Sequence, residues 1–109
     1  MSIIRVVLYS KVPGLLLEGI GALLEQTKDI QVTDICTDIP GFLSAVEQKK
    51  PHCVFWIIEK ESDFDPRLME SMAHAHPGGK TIIVTSDLNR QLVQKVVQSG
   101  VQGLLSSHI

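Results

Sequence analysis

Apolar and polar positions along the chain fall into short blocks whose period switches repeatedly between about two residues and about 3.6, the spacings of a strand and of a helix. Ile3 to Leu8 (IIRVVL) is an apolar, β-branched block that predicts a first strand. After Pro13, GLLLEGIGALLEQ carries Leu16, Ile20, Leu23 and Leu24 at helical spacing and predicts a first helix. IQVTDIC, from Ile30 to Cys36, alternates as a strand exposed on one side should, and PGFLSAVEQKK gives a short helix opened by Pro40 and closed before Pro51. Cys53 to Ile58 (CVFWII) is apolar throughout, with no charge until Glu59. Bounded by Pro51 and the charged segment EKESDFD, this run predicts a strand buried on both faces, the kind found in parallel sheets with helices on each side. Asp65 and Pro66 form an N-cap and first-turn pair ahead of RLMESMAHA. KTIIVTS predicts a fourth strand, NRQLVQKVVQ a helix stopped by Gly100, and GLLSS, from Gly103, a fifth strand. Strands separated by helices of about ten residues imply right-handed βαβ units, an α/β chain with an open, doubly wound parallel sheet.

Composition narrows what such a sheet could be used for. With 109 residues and a net charge of −2, the chain fits one domain over residues 1–109, large enough for a core but not for two. No run of about 20 apolar residues is present, and MSIIRVV lacks the layout of a signal peptide, so the expected setting is cytoplasmic, without membrane contact. Cys36 and Cys53 are then expected to be reduced, and two cysteines this far apart form no metal or redox motif; a small buried hydrophobe is the expected role. His74 and His76 lie two apart near a helix end and do not face each other, which argues against a metal pair and for a solvated position at the negative end of the helix dipole. His52 and His108 have no evident partners. Gly78-Gly79 follows a helix instead of opening one, so it reads as a chain reversal and not as a phosphate cradle. Lys49-Lys50 is too short for a nucleic-acid patch, and the slightly acidic balance with a single Trp and Tyr argues against direct nucleic-acid binding. No paired nucleophile and base, no metal-ligand set and no glycine-rich cofactor loop stands out, so neither an enzyme nor a cofactor or metal is expected.

The order of the segments carries more information than any one of them. IRVVL followed by EGIGALLE, KKP before the third strand, HP at His76-Pro77, IIVT ending in Thr85, and SGVQGLL from Ser99 together resemble the receiver domain of bacterial response regulators over nearly the whole chain. From Pro51 to Leu105 the match runs without a gap. EGIGALL and HPGGKTIIVTS are most similar to receivers that precede a helix-turn-helix DNA-binding domain in LuxR/NarL-type transcription regulators. The resemblance implies a flavodoxin-like, CheY-like sheet with strand order 2-1-3-4-5, in a chain that ends before the usual fifth helix. It also implies that any DNA-binding domain would lie beyond residue 109, so that nucleic acid is met only through that attached domain.

The chemistry that the resemblance implies is where the sequence departs from it. Such receivers end strand three with an aspartate that accepts a phosphoryl group from a histidine kinase, and the gapless frame places Ile57 there. After strand one they carry an acidic pair that helps hold Mg²⁺; here the chain reads Tyr9-Ser10-Lys11-Val12. Anchoring on the strand assigns Ser10 and Lys11 to the pair, and anchoring on EGI assigns Lys11 and Val12, so neither supplies a carboxylate. The lysine that ends strand five corresponds to Ser107, and an aromatic switch residue often found in that strand is replaced by Leu104; the strand-four hydroxyl, Thr85, is kept. Phosphoryl transfer depends on positioning and charge stabilisation, and Mg²⁺ requires one or two carboxylates, so the expected product is a degenerate receiver that cannot be phosphorylated. Glu59 shares the strand parity of Ile57 but lies beyond the predicted strand end, where a solvated loop carboxylate is the favoured role.

Two functions remain open on this reading. One is a phosphorylation-independent protein-interaction and dimerisation module that regulates an attached DNA-binding domain or a partner regulatory protein. The other is a small-molecule sensor, because open parallel sheets bind ligands beyond the strand carboxyl ends, where Ser10, Lys11, Thr85, Ser86 and Ser107 would line a vestigial pocket for a polar ligand. Without a fifth helix one sheet face is left half covered. Leu15, Leu16, Leu23 and Leu24 of the first helix, with Leu104 or Leu105 of the last strand, are then expected to form an apolar interface in a two-fold homodimer, with a face built around the fourth helix and fifth strand as the alternative.

Overall fold

Five blocks that read as strands in the sequence become five parallel strands in the computed structural model, which describes residues 3–12 and 14–106. They are β1 (Ile4–Ser10), β2 (Ile30–Cys36), β3 (Cys53–Ile58), β4 (Lys80–Thr85) and β5 (Gly103–Ser106), joined in one sheet of order β2-β1-β3-β4-β5. The helices between them are α1 (Leu15–Glu25), α2 (Ile39–Lys49), α3 (Pro66–Ala75) and α4 (Arg90–Gln98), with a 3₁₀ turn at Glu61–Asp63. This is the doubly wound arrangement that the sequence predicts, with the strand order that the receiver resemblance implies, and β5 is the last described element. Among the described residues no helix is long and apolar enough to cross a membrane.

The helix boundaries follow from local chemistry. Asp38 caps α2 by accepting from the Gly41 amide at 2.7 Å, Asp65 caps α3 through the Arg67 amide at 2.9 Å, and Asn89 caps α4 through the Leu92 amide at 2.9 Å. Gly100, at φ +79°, ends α4 in a backbone conformation that costs a glycine little. The α2 carboxyl end is closed by a cation from the same face of β1: the Arg5 guanidinium donates to the carbonyls of Lys49 and Lys50. His52, unpartnered in the sequence reading, accepts from the Arg5 amide through Nδ1 at 2.9 Å. His76 is half-buried instead of solvated, with Nε2 at 3.0 Å from the Pro51 carbonyl. His108 lies outside the described residues.

Two cores sandwich the sheet. On one face α2, α3 and α4 bury Phe42, Val46, Leu68, Met72, Leu92 and Val96 against Val7, Tyr9, Val54, Trp56 and Ile83. On the other, α1 lies over β1 and β2 and buries Leu17 and Leu24 with Val6, Leu8, Ile57 and Val84. β3 therefore contributes to both cores, which is why its six residues are apolar without interruption. Burial pushes the Cys53 thiol up to about 11, and burial and then Asp34 raise that of Cys36, so both stay protonated and unreactive at neutral pH.

β2 does not keep the simple alternation that its sequence suggests. Its register against β1 shifts between Val6 and Val7, so Val6 pairs with Val32 while Val7 pairs with Asp34, leaving Thr33 as the extra residue. Ile30 and Val32 face α1 ahead of this bulge. Beyond it Ile35 takes the α1 side, its Cδ1 reaching 3.4 Å from where a Cβ on Gly21 would stand, and Cys36 joins the opposite core.

Candidate functional site

Parallel strands place all their carboxyl ends at one edge of the sheet, so the residues singled out by sequence converge there. Ser10, Ile57, Val84 and Leu105 form one row across β1, β3, β4 and β5. Ile57 is only 2% exposed and packs in the α1-side core with Leu8 and Val84. Its row contains no carboxylate. Glu59, two residues on, is exposed, and its Oε1 lies 3.6 Å from the position of a Cβ on Gly14, at the start of α1.

The hydroxyls of the predicted pocket are occupied by the backbone close to them. Ser10 is buried and donates to the Val12 carbonyl at 2.8 Å. Thr85 is buried and accepts from the Asp87 amide at 3.1 Å. Lys11 and Ser86 are exposed, and Lys11 makes no ion pair among the described residues. Ser107 lies outside the described residues. Ser10 and Thr85 sit at the right edge of the sheet, each making one hydrogen bond to the backbone two residues on.

A cavity of about 420 Å³ opens at the same edge but on the α2–α3 side, lined by Tyr9, Asp38, Trp56, Asp63, Asp65 and Lys11 among others. The sequence reading passed over it because its walls come from the ends of β1 and β3 and from the loops opening α2 and α3. Of its lining, the sequence singles out Tyr9 and Lys11 only as part of the segment after strand one, and Pro40 and Asp65 only as helix openers. The Tyr9 ring is 4% exposed, stacks on Phe42 at a centroid distance of 4.6 Å, and lies 6.3 Å from Trp56. Burial, and after it the charges of Asp38 and Asp63, raise the Tyr9 hydroxyl above its ordinary value, so it stays a neutral phenol. A second cavity, of about 470 Å³, lies at the opposite edge between α3 and α4. There His76 already meets the Pro51 carbonyl, and the Gln102 side chain accepts from the Thr81 amide at 2.8 Å.

The predicted apolar interface is sorted differently from its expectation. Leu15, Leu23 and Leu105 are 87%, 62% and 52% exposed, and Leu16 is half-buried. Leu24 turns inward as part of the α1-side core, because it lies one helical repeat from Leu17. Leu104 packs against the α2–α4 core on the other sheet face, since neighbouring strand residues point to opposite sides. Gly21 approaches Ile35 on the outer strand, so the flank of α1 that carries Leu16, Ile20 and Leu23 overlooks β3 to β5. On that face Ile57 and Val84 are buried at the carboxyl ends of β3 and β4, while Phe55 and Ile82, nearer the amino ends, are only half-buried among the described residues.

No protein-family model matches the chain, and no curated protein sequence matches it significantly. Solved structures do. The signal receiver domain of the response regulator NarL from Mycobacterium tuberculosis superposes with a TM-score of 0.79 at 16% identity, over 97% of this chain and 85% of that one. The isolated REC domain of RcsB from Salmonella enterica serovar Typhimurium, solved with the phosphomimetic BeF3−, gives 0.79 at 17% identity, over 97% of this chain and 78% of that one. A LuxR-family two-component response regulator from Aurantimonas sp. gives 0.79 at 16% identity, over 96% and 74%. At these identities the likeness establishes the fold, and that fold is the CheY-like fold of receiver domains.

Proposed function

We propose that the chain is a regulatory receiver-type module that works without phosphoryl transfer, through protein contacts made by its α1 face. The observation that carries this reading is the row at the strand ends, where an apolar Ile57, 2% exposed, stands at the position that the receiver resemblance gives to the phosphoacceptor. The neighbouring groups are a hydroxyl tied to the Val12 carbonyl and an exposed lysine, so neither a nucleophile nor a pair of carboxylates for Mg²⁺ is at hand. Mg²⁺ with beryllofluoride should leave the amide NMR signals of Ile57 and Thr85 in place, and acetyl phosphate should add no mass. Saturable shifts at those two amides would show the site to be competent.

The partner surface in this reading is the flank of α1 together with the same face of β3 to β5, and the partner is a second copy. Leu16, Ile20 and Leu23 with Phe55, Ile82 and Leu105 supply the apolar area, and a two-fold axis is the commonest way for one patch to cover itself. At about 25 cal/mol per Å², burying a few hundred Å² contributes several kcal/mol before the entropic cost of association. Sedimentation at micromolar concentration should show a dimer, and Leu23→Glu should yield monomers with an unchanged circular dichroism spectrum; a monomeric parent chain removes this part of the reading. In this scheme a partner regulatory protein competes for the same face, and nucleic acid is reached only through an attached domain.

A further inference from the structure

We infer that the cavity between the ends of β1 and β3 and the openings of α2 and α3 is a binding site for a small organic cation, specifically the primary ammonium group of an amine. Tyr9 is 4% exposed, yet its hydroxyl makes no hydrogen bond among the described residues and lies on the cavity wall. The ring is packed away while its oxygen stays accessible from the cavity, so that oxygen is free to meet a ligand atom. The carboxylates of Asp38 and Asp63 line the same cavity. Each is held by one backbone amide, Asp38 Oδ1 by Gly41 at 2.7 Å and Asp63 Oδ2 by Lys60 at 3.2 Å, which leaves its second oxygen without a partner.

The chemistry selects a cation with hydrogens to donate. A primary ammonium carries three donors and no acceptor, matching two carboxylate oxygens and a phenol oxygen. Among the described residues no group of three His, Cys, Asp or Glu side chains is placed to hold a metal ion. The internal cations do not already fill it. Arg67 pairs with Asp65 at 3.1 Å, and Lys11, although it lines the cavity, is exposed and makes no ion pair among the described residues. The rear wall is aromatic, with Tyr9 fixed on Phe42 and Trp56 beside it, so the hydroxyl is held in place before a ligand arrives. This site lies on the opposite sheet face from the proposed dimer surface, so it stands or falls independently of that reading.

Putrescine titrated into the full chain at neutral pH, followed by amide NMR, is expected to give saturable shifts concentrated at Tyr9, Asp38, Gly41 and Asp63, with the Trp56 indole moving as well. The uncharged isostere 1,4-butanediol should give none. Asp38→Asn keeps the helix cap and Asp63→Asn keeps the amide contact, and each should weaken binding by about tenfold, the size of one charge-assisted hydrogen bond. Tyr9→Phe should weaken it by a smaller factor while the fold is kept. Shifts that never saturate, equal shifts with butanediol, affinity unaltered in all three variants, or tighter competition by Mg²⁺ at the same amides would each overturn the assignment.

Discussion

Ile57→Asp is expected to remove most of the stability of the protein at neutral pH, and it should fail to create a phosphorylation site. The side chain is 2% exposed and packs with Leu8 and Val84, so its loss removes about 2–3 kcal/mol of apolar burial. Ionising the introduced carboxyl among those neighbours costs several kcal/mol more, against a total of about 5–15 kcal/mol for a domain. Desolvation raises the pKa of such a carboxyl in the folded state. The sign then follows: both states are neutral below the unfolded value near about 4, and as pH rises above it the unfolded state gains by ionising first, so stability falls. Urea denaturation should therefore show a deficit that is largest at neutral pH and shrinks in acid, while Ile57→Val costs only about 1 kcal/mol. Wild-type stability in the aspartate variant, together with uptake of phosphate from acetyl phosphate, would mean that this position is a solvated acceptor site and not a core residue.

Phe42→Ala should rank next in cost. Phe42 is fully buried on α2 and stacks on Tyr9 with an interplanar angle of 16°, so truncation opens a void beneath the one ring that closes the β1 end of the cavity. Phe→Ala changes in cores cost about 3–5 kcal/mol, and the stacked pair adds about 0.5–1.5 kcal/mol beyond its area. Phe42→Leu, which refills most of the void, should recover more than half of that loss in chemical denaturation. Equal midpoints for the alanine and leucine variants would show that the ring pair contributes nothing.

Much of the fold could be read from the sequence because the strongest signals were local. β2 and β3 run over the residues predicted, since their apolar and β-branched runs are bounded by turn and charge signals that allow few other choices. α3 begins at Pro66 behind Asp65 for the same reason. β1 runs two residues further than its apolar block, to Ser10, because pairing with Trp56 and Ile57 extends it where side-chain hydropathy gives no hint. The bulge in β2 was invisible, since it depends on how two strands meet and not on either alone. The position of Ile57 at the sheet edge followed from its place in β3. The meeting of Tyr9, Asp38 and Asp63 did not, because it joins three segments far apart in sequence, and the fates of Leu24 and Leu104 turned on which face of its element each occupies.

The bulge at Thr33 has a consequence for the outer rim of the sheet. β2 has a strand neighbour on one side only, and an open rim of this kind is a template on which another chain can add a strand. By displacing the register, the bulge turns Asp34 toward the α2 side, where its Oδ2 is buried with no hydrogen-bond partner. A strand added there would have to match a twisted, irregular backbone and strip water from what remains of that carboxylate. The unsatisfied oxygen costs the folded chain stability, and the bulge that places it there breaks the regular ladder an added strand would need, which makes this rim a poor seed for aggregation.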